Sequence, residues 1–254
     1  MVAVKVECLP PGSPFVVITA EEQLDRWKAE KDRFDATWPE YNNHGDDSYP
    51  LWRDLSLRHG SLQFLLVDKE QDVAVARGRT TPFRWDGTLD DLPAGMDGMA
   101  LRIGDEHETP TTLSALAAEV LPEHRGRGLS ALVIQVMAEL AKNAGLSSLV
   151  APVRPNWKDR YPLIHIEHYA RWQTSDGLPF DPWMRVHSRL GAIILRHEER
   201  SLAIRGTVSE WESWTAMSFP EDGTYTFPFG LAPLCVKDGM GSYFEPNVWM
   251  QHTL

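Results

Sequence analysis

The stretch that decides the fold lies in the middle of the chain and reads Pro122-Glu123-His124-Arg125-Gly126-Arg127-Gly128-Leu129-Ser130. Before it, residues 113–121 are nearly all apolar, which is typical of a strand buried on both faces. After it, apolar residues recur every three or four positions until Gly145, which predicts a helix. The order is therefore strand, glycine-rich turn, helix.

The turn has the composition of an anion-binding site. Gly126 and Gly128 let successive backbone N–H groups turn towards one point at a helix N-terminus, where the helix dipole also favours negative charge. Arg125 and Arg127 add cationic side chains. An isolated tetrapeptide of this kind is more often a solvated turn, but the flanking strand and helix favour an anion cradle suited to a diphosphate.

Flanking segments extend this pattern in both directions. Residues 146–153 predict the next strand, and residues 63–67 and 72–79 predict an antiparallel hairpin. The capping box Thr19-x-x-Glu22 predicts a helix over residues 20–36, and a shorter helix is expected over 49–58. Residues 80–110 are rich in turn signals and are expected to be irregular.

The C-terminal part has the pattern of β structure with one short helix. Strands are expected at 192–196, 202–205, 224–234 and 243–251, and Thr207-x-x-Glu210 is a second capping box. No repeat, low-complexity tract or flexible linker divides the chain. We therefore expect residues 1–254 to form a single enlarged domain.

Composition narrows the function classes. The net charge of −11 disfavours binding to nucleic acid, because that affinity comes from Lys and Arg displacing counterions. No apolar stretch is long enough for a membrane helix and the first residues do not resemble a secretory signal, so we expect a cytoplasmic protein with no membrane partner. Cys8 and Cys235 are too few for a disulfide framework.

The strand, Gly126-x-Gly128 turn, helix and following strand together resemble the GNAT superfamily of acyl-CoA N-acyltransferases, whose turn has the pattern Gln/Arg-x-x-Gly-x-Gly/Ala. The basic residue before the first glycine falls on Arg125, whereas the leading Gln/Arg position holds Glu123. This departure removes one usual phosphate-facing side chain. The resemblance covers residues 60–195 and is specific over 112–155.

The resemblance implies an α/β (α+β) fold, a mixed and mostly antiparallel twisted sheet flanked by helices with a splayed central strand pair. The GNAT-like core would span residues 60–195, and residues 196–254 would form a β-rich C-terminal extension. Acetyl-CoA or another acyl-CoA is the implied co-substrate. The implied cofactor-binding residues are Val120, Arg125, Gly126, Arg127, Gly128, Leu129, Ser130 and Asn156.

Three catalytic candidates follow from the resemblance. His187 occupies the position of a tyrosine that often protonates the departing thiolate, a task for which its pKa would have to be raised modestly. Tyr161 is a rival donor, as is Tyr169, within an insertion between Asn156 and Trp183. Glu119 is the sole carboxylate on the central strand, and is either a general base or a structural partner of a helix residue.

Other polar groups leave alternatives open. Asp97, Glu108 and Ser114 are further base candidates. An acidic loop (Asp86, Asp90, Asp91 and Asp97) either attracts a cationic amine or is a solvated surface. His165-Ile166-Glu167-His168 lacks the His-Glu-x-x-His spacing, so no metal is expected.

The function expected is transfer of an acetyl or small acyl group from acyl-CoA to an amine, or a hydroxyl, of a small and partly apolar substrate. Two alternatives remain at this stage. One is decarboxylation or hydrolysis of an acyl-CoA or acyl-carrier thioester, and the other is a non-catalytic acyl-CoA-binding module. The acceptor, the acyl chain length and the choice between monomer and homodimer stay open.

Overall fold

A computed structural model describes residues 6–45, 55–103 and 108–254. The helix expected over residues 49–58 falls largely outside these ranges. In the described ranges no helix is long and apolar enough to span a bilayer.

The strands of the described residues form one nine-stranded sheet in the order β1-β2-β3-β4-β5-β9-β8-β7, with β6 paired to β9. Their bounds are β1 Phe15–Thr19, β2 Phe64–Asp68, β3 Val73–Phe83, β4 Thr112–Val120, β5 Ser148–Val153, β6 Ile193–Thr207, β7 Gly223–Tyr225, β8 Leu234–Lys237 and β9 Met240–Thr253. Every pair is antiparallel except β4 with β5. This arrangement confirms the mixed, mostly antiparallel sheet.

Helices cover the sheet. Their bounds are α1 Leu24–Ala29, α2 Lys31–Asp35, α3 Gly95–Arg102, α4 Leu129–Asn143, α5 Ile166–Ala170, α6 Pro182–Arg189 and α7 Val208–Thr215. The periodic apolar face of α4 is buried against β3, β4 and β5, as the sequence predicts. Each fully buried aliphatic side chain on that face contributes about 1.5–3 kcal/mol, so α4 is anchored where the glycine turn needs it.

The long helix expected over residues 20–36 was wrong in its extent. Thr19 and Glu22 exchange the predicted capping bonds, with Thr19 N–H donating to Oε2 at 2.8 Å and Glu22 N–H donating to Oγ1 at 3.3 Å. These bonds instead close a turn after β1, and two short helices that share Glu30 as a cap follow. Helices this short depend on tertiary packing, and here Trp27 and Phe34 are buried against β2 and β3.

Two other expectations need correction. Residues 80–110 are not all irregular, because β3 continues to Phe83 and α3 begins at Gly95. Glycines in and before α3 conceal its periodicity. The two strands expected at 192–196 and 202–205 are one strand, β6, with an irregular register between Glu198 and Leu202. The capping box of Thr207 and Glu210 is confirmed at the start of α7.

The C-terminal strands belong to the central sheet. The second half of β9 pairs with β5, from Val153↔Val248 to Ser148↔Thr253, while its first residues pair with β8. Residues 226–233, expected to be strand, lie between β7 and β8 instead. Long-range pairing of β9 therefore places residues near 245 beside the end of β5, which no local pattern reveals.

Candidate active site

The site begins where β4 and β5 part. They pair only from Thr112↔Ser148 to Ser114↔Val150, although β4 continues to Val120 and β5 to Val153. On its other edge β4 has a bulge, because Arg79 pairs with Ala117 and Thr80 with Ala115, leaving Leu116 over. A bulge bends a strand away from its neighbour. Beyond Ser114, the β5-facing edge of β4 has no strand partner in the described sheet.

A cavity of about 1000 Å³ opens on one side of this gap, a size that suits a large ligand. The glycine turn forms one end of it. Gly126 has φ +77° and Gly128 φ +75°, and Gly128 caps the N-terminus of α4. A positive φ suits glycine and turns the following N–H groups towards one point.

Seven of the eight residues that the resemblance assigns to cofactor binding line this first cavity: Val120, Arg125, Gly126, Gly128, Leu129, Ser130 and Asn156. Arg127 does not. Its guanidinium lies 5.6 Å from the centroid of the Phe15 ring, and its Nη1 is 3.2 Å from His124 Nδ1. The basic contribution at the turn therefore comes from one arginine side chain, Arg125.

The unusual Glu123 does not oppose an anion at the turn. Its side chain is 58% exposed, approaches Arg33 at 3.7 Å and is absent from the cavity wall. Backbone amides remain the main groups that the turn offers to a diphosphate.

The insertion between Asn156 and Trp183 forms another wall of the first cavity, and Asp181 holds it in place. Asp181 Oδ1 accepts from the N–H of Trp183 at the start of α6, while Oδ2 accepts from Trp157 N–H at 2.8 Å and from the Tyr169 hydroxyl at 2.9 Å. Both tryptophans line the cavity. One buried carboxylate thus fixes two aromatic walls.

His187 lines the first cavity, but its electrostatics differ from the expectation. It is 1% exposed, its Nδ1 lies 2.9 Å from His252 Nε2, and its ring packs against Trp183. Burial, and then the neighbouring His252, lower its pKa to about 3. A proton donor at neutral pH needs the opposite shift. The imidazole is therefore neutral and suits a wall role better than an acid role.

Neither tyrosine candidate reaches the cavity wall. Tyr161 packs in an aromatic cluster with Tyr169, Trp172 and Phe180. The Tyr169 hydroxyl donates to Asp181, and burial together with that carboxylate raises its pKa. The two tyrosines therefore serve packing, because Tyr169 is part of the main hydrophobic core and Tyr161 packs against it.

Glu119 is 3% exposed and fully engaged. Arg77 Nε donates to Oε2 at 2.5 Å and Nη2 to Oε1 at 2.8 Å, while Trp38 Nε1 donates to Oε1 at 2.7 Å. The Arg77 guanidinium also binds Asp35 at 2.7 Å. The structural partner of Glu119 is thus Arg77 of the neighbouring strand β3 rather than a helix residue. Glu119 and Trp38 of this buried network line the first cavity.

A second cavity of about 280 Å³ meets the first across the gap. Five residues line both: Trp38, Leu116, Ala117, Pro152 and Arg154. Sequence reasoning missed the polar residues of the second cavity, which include Arg79 of β3, Asn42, and Glu245 and Asn247 of β9. For Glu245 and Asn247 the sequence does carry a signal, because these polar residues interrupt the apolar run of β9 in Glu245-Pro246-Asn247-Val248-Trp249.

Glu245 organises one end of the second cavity. It is 3% exposed, and its Oε1 lies 3.0 Å from Arg154 Nε and accepts from Asn42 Nδ2 at 3.1 Å. Its Oε2 accepts from the Tyr243 hydroxyl at 3.2 Å. Arg154 Nη2 in turn donates to the Tyr41 hydroxyl and to the carbonyl of Phe229. These contacts hold Arg154 at the junction of the two cavities.

The remaining candidates lie elsewhere. Asp97 Oδ2 accepts from the N–H of Ala203, Glu108 faces Arg84 at 3.9 Å, and Ser114 is fully buried. The carboxylates of the acidic loop line neither cavity. In the described residues no group of three His, Cys, Asp or Glu side chains is placed to hold a metal.

Solved structures share this fold. The loading GNATL domain of CurA from Lyngbya majuscula matches with a TM-score of 0.63 and 15% identity, over 94% of this chain and 97% of that one. The GphF GNAT-like decarboxylase in complex with isobutyryl-CoA matches with a TM-score of 0.57 and 17% identity, over 94% and 98%. With the splayed β4–β5 pair and the glycine turn before α4, the chain has the fold of these GNAT-like proteins.

A curated relative resembles the chain along nearly its whole length. The arginine N-acetyltransferase avaD of Aspergillus versicolor is 29% identical over 281 residues, covering 97% of this chain and 96% of that protein. No protein-family model matches the chain.

Proposed function

We propose that the chain is an acyl-CoA-dependent N-acyltransferase that moves an acetyl or small acyl group to an amine of a small molecule. One observation carries the proposal: two cavities of different size meet where β4 and β5 part. The larger has the diphosphate cradle that acyl-CoA needs. The smaller suits a compact acceptor.

The donor would lie in the first cavity. The N–H groups following Gly126 bind its diphosphate, and Arg125 adds a charged contact. The thioester then reaches the unpaired edge of β4, where backbone N–H groups can stabilise the negative charge that develops on the carbonyl oxygen. Because this edge of β4 has no strand partner there, its N–H groups can bind a ligand without breaking hydrogen bonds of the sheet.

The acceptor amine attacks from the second cavity. It must be neutral, although an alkyl amine has a pKa near ~10 in water. We propose that the amine loses this proton to water in the cavity.

The bond changes balance without a metal or redox step. The nitrogen of the neutral amine forms a bond to the carbonyl carbon and the carbon–sulfur bond breaks. The nitrogen releases one proton through water to the departing thiolate, so the products are an amide and the CoA thiol. With a thiol pKa near ~8.5, the thiolate is a tolerable leaving group that water can protonate. A cationic imidazole at His187 is not required, which agrees with its lowered pKa.

Arginine is the first acceptor to test, since it is the substrate in the name of the curated relative. We propose the cytoplasm as the setting, since acetyl-CoA and free amino acids are both available there. The second cavity, at about 280 Å³, lies at the lower end of small-ligand pockets and suits a single amino acid.

The test follows free thiol release from acetyl-CoA with and without arginine, together with the mass of the product. Release that depends on arginine and yields acetylarginine supports the proposal. If arginine fails, a panel of amines and amino acids follows, and failure of every acceptor contradicts it. Thiol release without acceptor, or loss of carbon dioxide from malonyl-CoA, would instead support hydrolysis or decarboxylation.

Binding is measured separately from turnover. Acetyl-CoA at ~100 times its dissociation constant should stabilise the fold by ~2.7 kcal/mol, and this appears as a raised melting temperature. A shift without any turnover would favour a binding module, and no shift with any acyl-CoA would remove the basis of the proposal.

A further inference from the structure

A β-turn between β7 and β8 carries an aromatic residue at a position that favours glycine. Gly230 N–H donates to the Phe227 carbonyl at 3.1 Å, which closes the turn with Pro228 and Phe229 at its two central positions. Phe229 has φ +65°. Proline followed by a residue with positive φ is the type II pattern, in which that residue is usually glycine or asparagine. A bulky side chain at this position strains the backbone.

The turn is held on both sides, so the surrounding structure imposes this strain. The Phe229 carbonyl accepts from Arg154 Nη2 at 2.8 Å and from the Tyr41 hydroxyl at 2.7 Å. Two residues further on, Leu231 is fully buried and its carbonyl accepts from Lys158 Nζ at 2.7 Å. An unfavourable φ persists where neighbouring contacts over-determine it, and these bonds do so for Phe229.

The Phe229 side chain contributes little to the core. The residue is 61% exposed and belongs to none of the hydrophobic clusters among the described residues, whereas Phe227 and Leu231 on either side of it are buried. Residues held in unfavourable backbone conformations concentrate at ligand-binding and active sites. Phe229 lines the first cavity, so its exposed ring is available to a ligand there.

Phe229 lies where the first cavity adjoins the second. Arg154, which binds the Phe229 carbonyl, lines both cavities, whereas Phe229 lines the first and not the second. In the proposed function the first cavity holds acyl-CoA, with the diphosphate at the glycine turn and the thioester where the cavities meet. The ring is therefore placed beside the acyl-bearing end of the donor rather than beside its diphosphate.

We propose that Phe229 is a donor-binding residue whose ring packs on the acyl end of the pantetheine arm, next to the β4–β5 gap. This inference rests on the proposed function. The ligand chemistry that the ring recognises is apolar, namely the methylene groups beside the thioester and a short acyl chain. Binding covers the exposed ring and so adds a hydrophobic contribution that the free protein lacks.

Two ligands separate contact with the arm from contact with the diphosphate. Acetyl-CoA has both parts, whereas 3′-phosphoadenosine 5′-diphosphate keeps the diphosphate and lacks the arm. Phe229→Gly removes the ring and relieves the strain, because glycine adopts a positive φ readily. In titration calorimetry we expect it to weaken acetyl-CoA binding about 10-fold and to change the affinity of the fragment less than about 2-fold. The urea midpoint should stay close to that of the unmodified protein.

Two further variants identify the cause of a loss. Phe229→Asn also lacks the ring, tolerates the left-handed region and keeps the backbone more restricted than glycine does, so it should lose as much acetyl-CoA affinity as Phe229→Gly. Asp238→Gly is the matched control. Asp238 has φ +51° in the turn between β8 and β9 and lines neither cavity, so this variant should leave both affinities unchanged.

An unchanged acetyl-CoA affinity in Phe229→Gly would overturn the inference and leave the proposed function intact, since thiol release tests that function separately. Equal losses for acetyl-CoA and the fragment would also overturn it, because they would place the effect at the diphosphate or in the fold as a whole. Full affinity in Phe229→Asn would assign the loss to backbone flexibility and overturn the ring contact. If Phe229→Gly does not fold, Phe229→Asn decides. If the unmodified protein binds neither ligand, the proposed function fails and this inference with it.

Discussion

The glycine turn at residues 122–130 and the second cavity are built in opposite ways. The turn is one continuous segment whose ligand groups are mainly backbone N–H, held by two residues with positive φ. The second cavity is assembled from side chains of several segments that are distant in sequence, among them α2, β3, the end of β5 and β9. Backbone sites can therefore be read from local sequence, whereas side-chain sites depend on how strands pair.

The two regions also differ in how they use charge. At the turn, one of the two arginines points away from the cavity, and the remaining groups are dipoles. In the second cavity, Arg77 and Arg154 are held inside by carboxylates. We therefore expect the loss of one arginine to have a small effect at the turn and a large effect in the second cavity.

The largest effect should come from Arg77, which is 3% exposed in its side chain. Arg77→Met leaves the buried Glu119 without its cation, and we expect a loss of about 3–5 kcal/mol in the free energy of unfolding. Urea denaturation measures it. Arg171→Met, at an exposed pair, should cost less than about 1 kcal/mol. Equal losses in the two variants would contradict a buried network.

Next comes Gly126, whose φ of +77° disfavours a β-branched residue. Gly126→Val should strain the turn and misplace its N–H groups, weakening acetyl-CoA binding about 30-fold, or ~2 kcal/mol. Titration calorimetry measures the affinity. Gly145→Val is the matched control, because Gly145 has φ +73° at the end of α4 and is not on a cavity wall. Equal affinity losses would mean that strain alone explains the result.

A smaller effect should appear in the pH dependence of stability. The folded pKa of His187, about 3, lies below its usual 6.5, so the unfolded chain binds a proton that the folded chain excludes. This contribution to stability is complete above pH ~6.5 and is lost as pH falls towards 3. Between pH 7.5 and 5.5 it amounts to about 1.4 kcal/mol.

His187→Asn should remove that part of the slope, measured by urea denaturation at the two pH values. His168→Asn, at an exposed histidine, should keep it. A slope unchanged in His187→Asn would show that the imidazole is not held neutral.

The smallest effect should come from Arg127. Because its guanidinium lies over Phe15, we expect Arg127→Gln to change acetyl-CoA affinity less than about 3-fold. Arg125→Gln should weaken it about 5-fold, in the range of one partly exposed charged contact. Salt titration of both variants checks the difference, and a larger loss for Arg127 would reverse the assignment at the turn.

The sequence predicts the parts of the fold that depend on local patterns. The strand before the turn, α4 and the capping box of Thr207 and Glu210 all follow from spacing. The helix at Gly95–Arg102 could not be predicted, because Gly98 and the turn residues before the helix interrupt the apolar pattern to which the buried Met99 belongs. The position of β9 in the sheet could not be predicted either, because it depends on pairing between strands that are distant in sequence.

At the site, the same division holds. Gly126 and Gly128 reach the cavity that their pattern predicts. For His187, sequence gives a position but not the sign of a pKa shift, which depends on burial and on His252, 65 residues away. Arg79 carries no local signal of function, because a single charged residue in a strand is usually on the surface. Glu245 is marked in the sequence only as a polar residue within the apolar run of β9.

The most direct test of the joined cavities is the affinity of a conjugate in which CoA is linked through an acetyl group to the α-amino nitrogen of arginine. Linking two ligands that occupy adjoining sites strengthens binding without new contacts. We predict that this conjugate binds at least ~100-fold more tightly than CoA alone, and that Gly126→Val weakens its binding. A conjugate that binds no better than CoA would contradict the placement of donor and acceptor on either side of the β4–β5 gap.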